Sequence, residues 1–307
     1  MSFASDVKVE LGKLKIDECC KIAELSAFLQ LSSEITFNNE GVHVSFKTMN
    51  NTIARTFISI IKDKYNLPIN LLVKQQKLTK NDVYVIVIDN ADVIVNEFDL
   101  FNKDYSHHMK YIKNDCCKKS YIRGAFLSTG SVNDPKKSYH LEIKCHNEEN
   151  AIFVQMLLNS FGLNARISKR REELIVYIKE AQAIGDFLYI VGAQKSYFEY
   201  EDIRVNKDIS NMVNRKNNCE LANEMKAINA AKQQLDDIKI VEKMEGVDQK
   251  LIEVMEIRKK NPTATLVELL EIYKNEYDKE ITKSCLNHRF RKIHDLAIVP
   301  SDDDWKK

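Results

Sequence analysis

Residues 17–33 read DECCKIAELSAFLQLSS and residues 114–130 read NDCCKKSYIRGAFLSTG, one pattern written twice 97 positions apart. The offset holds without a gap from Cys19/Cys116 through Asn50/Asn147 to Ala54/Ala151, which makes it an internal duplication. In the first copy Ile16, Cys19/Cys20, Ala23, Ala27 and Leu31 recur at helical intervals. Small residues, Ser26 and Ala27 in one copy and Gly124 and Ala125 in the other, allow two helix backbones to approach closely. The two copies are therefore expected to meet along these helices.

Outward from the repeat, Glu34 to Phe37 and Val42 to Phe46 alternate as strands, with Asn38-Asn39-Glu40-Gly41 between them as a hairpin turn. Asn50 or Asn51 can cap a helix through Ile53, Phe57, Ile60 and Ile61. Strand patterns at Ile69 to Val73 and Val83 to Ile88 lead to a short helix near Ala91 to Phe98. After a charged connection, Asn102 to Tyr111, the order returns. A helix near Cys116 to Leu127 precedes strands near Val132 and at Tyr139 to Cys145. A helix at Glu149 to Phe161, strands at Ala165 to Ser168 and Leu174 to Ile178, and a helix at Ala181 to Ile190 complete it. The expected fold class is α+β: a duplicated αββαββα unit, copies about 15–100 and 112–192, forming a pseudo-two-fold saddle whose symmetry matches that of a nucleic acid duplex.

A chain of 307 residues with 44% hydrophobic residues can bury two folded units, and its eight glycines and four prolines leave little for flexible linker. The formal net charge of +1 gives no global basic signal, so a polyanion partner must be sought in local patches. The first ten residues lack a signal peptide's apolar run, and no stretch approaches the ~18 apolar residues of a membrane span. A cytoplasmic, nucleoid-associated protein without a membrane partner is expected. Two of the cysteine pairs are adjacent, Cys19-Cys20 and Cys116-Cys117. Neighbours on a helix point about 100° apart and zinc spacings are usually of the C-x2-C kind, so the reading is buried reduced thiols, with no metal and no cofactor.

From about Arg204 the chain changes character. Asn214-Arg215-Lys216-Asn217-Asn218 is polar and basic, and Leu221, Ala222, Met225, Ile228, Ala231 and Leu235 then follow at helical intervals, as in a connecting helix. Leu251 to Lys260 reads as an amphipathic helix stopped before Pro262. Thr265 with Glu268 is a capping box opening a second helix, and Thr282 to Leu296 is a third, with Leu286, Phe290, Ile293 and Ala297 as its core face. The opposite stripe is Ser284, Asn287, His288 and Arg291, edged by Lys283, Arg289 and Lys292. From Ile281 to His294 there are four Lys/Arg and no acid. Short helix, turn and basic helix is the helix-turn-helix pattern. Asn287 suits adenine and Arg291 guanine, with Lys283, Arg289 and Lys292 on phosphates. The competing reading is a solvated helix of a protein-binding bundle.

The duplicated helices resemble the LAGLIDADG motif of homing endonucleases, as L-S-A-F-L-Q-L-S-S at Leu25 to Ser33 and I-R-G-A-F-L-S-T-G at Ile122 to Gly130. The resemblance implies paired interface helices and sheets that form a saddle for DNA. That family's catalytic acid falls on Ser32 and Thr129, and neither hydroxyl can replace a carboxylate that holds Mg²⁺. Glu34 is nearby but has only Val132 as its counterpart. The basic run Arg166, Lys169, Arg170, Arg171 leans toward a polyanion, and Glu172 and Glu173 weaken it. With I-T-K-S-C-L-N-H-R-F-R-K-I at Ile281 to Ile293 and N-R-K-N-N-C-E-L-A-N at Asn214 to Asn223, nearly the whole chain resembles the WhiA family. That implies a regulator of bacterial cell division and sporulation, with a catalytically dead LAGLIDADG-like domain tied to a C-terminal helix-turn-helix.

The expectation is then a LAGLIDADG-like domain over 1–205, a helical linker over 206–245 and a helix-turn-helix domain over 246–300. The function expected is sequence-specific binding of double-stranded DNA and transcriptional regulation, without enzymatic activity. Lys283, Ser284, Asn287, His288, Arg289, Arg291 and Lys292 are the contacts, and Arg166, Lys169, Arg170, Arg171, Arg215 and Lys216 are secondary ones. Another transcription factor or RNA polymerase is the further partner considered. Internal pseudo-symmetry removes the need for a homodimer, so a monomer is expected. The rivals are a Mg-dependent endonuclease using the saddle and a protein-interaction scaffold.

Overall fold

The computed structural model describes residues 2–39, 41–75, 82–101, 109–170 and 173–298. The chain divides into two compact units, Met1–Asp208 and Ile209–Lys307.

The first unit is built on two helices of matched length, α2 (Glu18–Ser32) and α5 (Asp115–Thr129). Their ends differ by the same 97 positions as their sequences, and they pack along their length. The contact point is narrower than the small-residue pattern suggests. Position by position, Ser26 matches Arg123 and Phe28 matches Ala125, so Ala27 and Gly124 are the matched small pair. A methyl group on Gly124 would lie 2.6 Å from the Glu24 carbonyl oxygen and 3.0 Å from Ala27 Cβ. We expect Gly124→Ala to cost about 1–3 kcal/mol in a denaturant titration, because overpacking outweighs the gain in helix propensity. An unchanged or raised midpoint would mean that the helices do not touch there.

Each long helix feeds a four-stranded antiparallel sheet. In the first copy β1 (Ser33–Asn38), β2 (Gly41–Thr48), β3 (Ile69–Gln75) and β4 (Asp82–Ile88) lie in the order β1-β2-β4-β3. In the second, β5 (Gly130–Val132), β6 (Leu141–Cys145), β7 (Arg166–Arg170) and β8 (Glu173–Ile178) repeat it as β5-β6-β8-β7. Helices α3 (Asn51–Tyr65) and α6 (Glu148–Ser160) are capped by the duplicated asparagines: Asn50 accepts from the Thr52 and Ile53 amides and Asn147 from that of Asn150. Helices α4 (Asp92–Glu97) and α7 (Ala181–Val191) end the copies. Strand alternation sends Val44, Phe46, Ile86 and Ile88, and Leu141, Ile143, Val176 and Ile178, into one continuous core with the helices. Glu34 pairs with Ser45 and Ser131 with Glu142, so the counterpart of Glu34 is Ser131, one residue earlier than expected. The hairpin turn is described except at Glu40, and residues 102–108 of the charged connection lie outside the described residues.

Two elements depart from the expected order. Residues Phe3–Leu11 form helix α1, whose Ser2 side chain accepts from the Ser5 amide. The connecting segment is longer than expected: helix α8 runs from Gln194 to Val241 without interruption, and neither Gly nor Pro occurs within it to stop it. Its stripe is only partly covered, since Ala231 is buried but Leu221, Met225 and Ile228 are exposed.

In the second unit α9 (Gln249–Lys260), α10 (Leu266–Tyr277) and α11 (Lys283–Ile298) surround their own core. That core joins Leu251, Val254, Ile257, Leu269, Tyr273, Leu286, Phe290 and Ile293 to Ile238 and Val241 at the end of α8. Arg258 is buried within it, its guanidinium over the Phe290 ring and donating to the Ala264 carbonyl at 2.6 Å and to Gln234 at 2.9 Å.

Candidate nucleic-acid interface

The orientation of α11 is fixed from both ends of the preceding turn. At the start of α10 the Glu268 amide donates to Thr265 Oγ1 at 3.3 Å and the Thr265 amide to the Glu268 carboxylate at 2.7 Å, the reciprocal capping box. These bonds hold the Glu268 carboxyl below its usual range. Asp278, left-handed at φ 50°, ends α10, and Thr282 Oγ1 accepts from the Cys285 amide at 3.2 Å to start α11. With Leu286, Phe290 and Ile293 buried, Lys283, Ser284, His288, Arg291 and Lys292 are exposed and Asn287 is half-buried beside Lys283 in a cleft shared with Arg258, Thr265 and Leu266. Ser284, His288 and Arg291 follow one another at successive turns on one outward face.

Arg289 is placed otherwise. Its guanidinium turns inward over the Tyr273 ring at 5.2 Å, donates to the Tyr273 hydroxyl at 2.8 Å and lies 4.0 Å from Glu253. The buried Glu253 also accepts from Lys279 at 2.8 Å and from the Tyr273 hydroxyl, and these bonds hold its carboxyl below the usual range. Arg289 thus holds α9, α10 and α11 together, and its guanidinium is turned away from the outward face on which a phosphate contact was expected of it. Its i, i+4 partner Cys285 gave no sign of this, because Tyr273 and Glu253 lie on other helices.

In the first unit Ser32 and Thr129 are the last residues of the paired helices. Ser32 Oγ donates to the Phe28 carbonyl at 3.1 Å, and Thr129 Oγ1 donates to the Lys144 carbonyl at 2.8 Å. Both hydroxyls are thus spent on backbone carbonyls. Glu34 is paired with Lys47 at 2.7 Å, and Lys144, the counterpart of Lys47, is paired with Glu173 at 2.8 Å. The sheet faces opposite the core therefore carry matched cations neutralised by glutamates.

The basic run on β7 splits. Ile167 pairs with the buried Val176, so Lys169 shares the face of Ile167, while Arg166 and Arg170 share the other. All three are exposed, and Arg171 lies outside the described residues. Arg215 and Lys216 are exposed on α8, with Lys216 4.0 Å from Glu220. A duplicated histidine went unremarked in the sequence: His43, buried in the first sheet between Asp89 at 2.7 Å and Asn38 at 2.8 Å, matches His140 beside Glu142 at 3.2 Å. Among the described residues no helix is long and apolar enough to cross a membrane.

Three family models match in succession. Residues 18–101 match the WhiA N-terminal LAGLIDADG-like domain, residues 118–210 the WhiA LAGLIDADG-like domain, and residues 213–297 the WhiA C-terminal HTH domain. A relative from Oceanobacillus iheyensis, named probable cell division protein WhiA, is 43% identical over 97% of this chain and 97% of its own. One of the same name from Bacillus cytotoxicus is 40% identical over 97% of this chain and 96% of its own. The fold is similar to the crystal structure of full-length WhiA from Thermatoga maritima, with a TM-score of 0.60 and 24% identity, covering 98% of this chain and all of that one. With its two LAGLIDADG-like copies and its helix-turn-helix matched in order over nearly its whole length, the chain belongs to the WhiA family.

Proposed function

We propose that this chain is a sequence-specific DNA-binding transcriptional regulator, acting in bacterial cell division, chromosome segregation or sporulation, and that it has no nuclease activity. The observation that carries the reading is the outward face of α11. Between Ile281 and His294 it offers Lys, Arg, Asn, Ser and His and no carboxylate, on a helix held by a capped α10 and a short turn. In the major groove Arg291 fits guanine O6 and N7, Asn287 fits adenine N6 and N7, and Lys283 and Lys292 fit flanking phosphates. Ser284 and His288 complete the contact set. The names of the relatives, probable cell division proteins, supply the process.

The LAGLIDADG-like domain, 1–205, serves as a second DNA surface or a partner surface, with Arg166 and Arg170 as its cations, and 206–245, which adds Arg215 and Lys216, links it to the helix-turn-helix domain, 246–300. Ser32 and Thr129 supply no carboxylate at the ends of the paired helices, where a metal would have to be held for phosphodiester cleavage. The partner is duplex DNA, with RNA polymerase or a second transcription factor as a further contact, and the working form is a monomer in the cytoplasm at the nucleoid.

Arg291→Ala tests the assignment. It should weaken binding to a site selected from genomic fragments by about 1–3 kcal/mol, roughly 5- to 150-fold, and relax preference at one base pair. An unchanged selected sequence would remove α11 from the groove. Cleavage of that DNA with Mg²⁺, lost on Ser32→Ala or Thr129→Ala, would establish the endonuclease instead.

A further inference from the structure

The paired cysteines are the part of the duplication that DNA binding leaves unused. Helices α2 and α5 begin at Glu18 and Asp115, so each pair lies in the first turn of one of two helices packed side by side. The expected obstacle to a metal, that neighbours on one helix diverge, is removed because two pairs converge. The Cys19 and Cys20 sulfurs are 3.9 Å apart, and those of Cys116 and Cys117 are 4.0 Å apart. The sulfurs of Cys19, Cys20 and Cys116 all lie within 4.8 Å of one another, while that of Cys117, 4.0 Å from Cys116, lies outside this group and must draw in to complete a set of four. Cys20 and Cys117 are buried, and Cys19 and Cys116 reach solvent, which gives an ion a route in.

These separations can be compared with two chemistries. A disulfide needs sulfurs about 2.05 Å apart. A tetrahedral zinc thiolate site with Zn–S near 2.3 Å has sulfur–sulfur edges of about 3.8 Å. The observed within-pair spacing is too long for the first and accommodates the second, as it does a contact between two thiols. Four sulfur donors and no nitrogen or oxygen donor favour a soft or borderline ion over magnesium or calcium. Each sulfur also lies in the first turn of its helix, where the positive end of the helix dipole favours a thiolate.

We propose that Cys19, Cys20, Cys116 and Cys117 bind one zinc ion that clamps the first turns of α2 and α5, each thiol giving up its proton on binding. The ion would tie the two copies together where their helices begin, at the opposite ends from Ser32 and Thr129. The proposal is independent of the DNA-binding reading.

The test uses the full-length chain, purified under reducing conditions and stripped of metal, with Co²⁺ as a spectroscopic probe. One Co²⁺ per chain should give the strong visible bands of a tetrahedral thiolate site, and one equivalent of Zn²⁺ should bleach them. Zinc should also shield four of the seven cysteines from a thiol reagent and raise the thermal midpoint. Cys20→Ser or Cys117→Ser alters the core, so the deciding variants are Cys19→Ser and Cys116→Ser at exposed positions. Each should weaken zinc binding by more than about 100-fold, beyond what loss of an outer-shell partner costs. Weak octahedral cobalt bands, or zinc shielding that survives the Cys19→Ser/Cys116→Ser double variant, would overturn the proposal. So would Cys19–Cys117 and Cys20–Cys116 disulfides in freshly isolated protein kept under reductant.

Discussion

Arg123→Met is expected to destabilise the LAGLIDADG-like unit by about 3–5 kcal/mol at neutral pH. Arg123 and Glu24 are both buried in the helix pair, at 6% and 2% exposure, with Nε donating to the carboxylate at 2.7 Å. Burial pushes the Glu24 carboxyl up, and only the Arg123 guanidinium opposes it. Methionine fills much of the volume but leaves that carboxylate without its cation. The variant can escape by protonating Glu24, and the sign of the pH effect follows. A carboxyl raised in the folded state contributes stability below its unfolded value, about 4.3, that is lost as pH rises through its folded value. The deficit against the parent chain should therefore be smallest near pH 4 and grow toward pH 8. Chemical denaturation across that range measures it, with Glu24→Leu/Arg123→Met as control. The double variant should recover most of the loss, since a well-packed apolar pair is often no worse than a buried ion pair. A single variant as stable as the parent at every pH would show that the pair is solvated.

The second large effect is on binding. A chain ending at Lys243 loses α9, α10 and α11 and should lose its sequence selectivity, the ratio of specific to non-specific affinity falling by about 10³ or more. A weak component should persist through the cations of the first unit and fade with salt as phosphate contacts do. Binding of genomic fragments over a salt series separates the two contributions. Full selectivity in the shortened chain would make the saddle the reader, and the roles given to Asn287, His288 and Arg291 would fall together.

Much of this architecture was legible because the sequence states it twice. A gapless offset carries the helix ends, the Asn50 and Asn147 caps and the strand order from one copy to the other, so an ambiguous pattern in one is settled by its partner. The capping box at Thr265 and Glu268 and the apolar spacing of α11 are local signals and survive folding unchanged. The rest is decided by neighbours in space. Arg289 lies one position from the outward stripe, and only Tyr273 and Glu253 on other helices draw it inward. Lys169 leaves its fellow cations because strands alternate, which a count of basic residues overlooks. The cysteine pairs, judged one at a time, have poor spacing for a metal, and become a cluster only when two helices are laid side by side. The polar run at Asn214 to Asn218 has linker composition yet stays inside α8, since helix breakers are absent from it.

The buried ion pair also makes the duplication a one-way step. Under the symmetry of the repeat, Glu24 corresponds to Tyr121 and Arg123 to Ser26, so the contact Glu24–Arg123 exists once and its mirror is Tyr121–Ser26. A self-paired first copy would bury two carboxylates facing serines, and a self-paired second copy two guanidiniums facing tyrosines. Either would cost several kcal/mol for each uncompensated ion. Each half has thus come to reject its own twin and to accept the other, and neither could return to life as a free-standing homodimer.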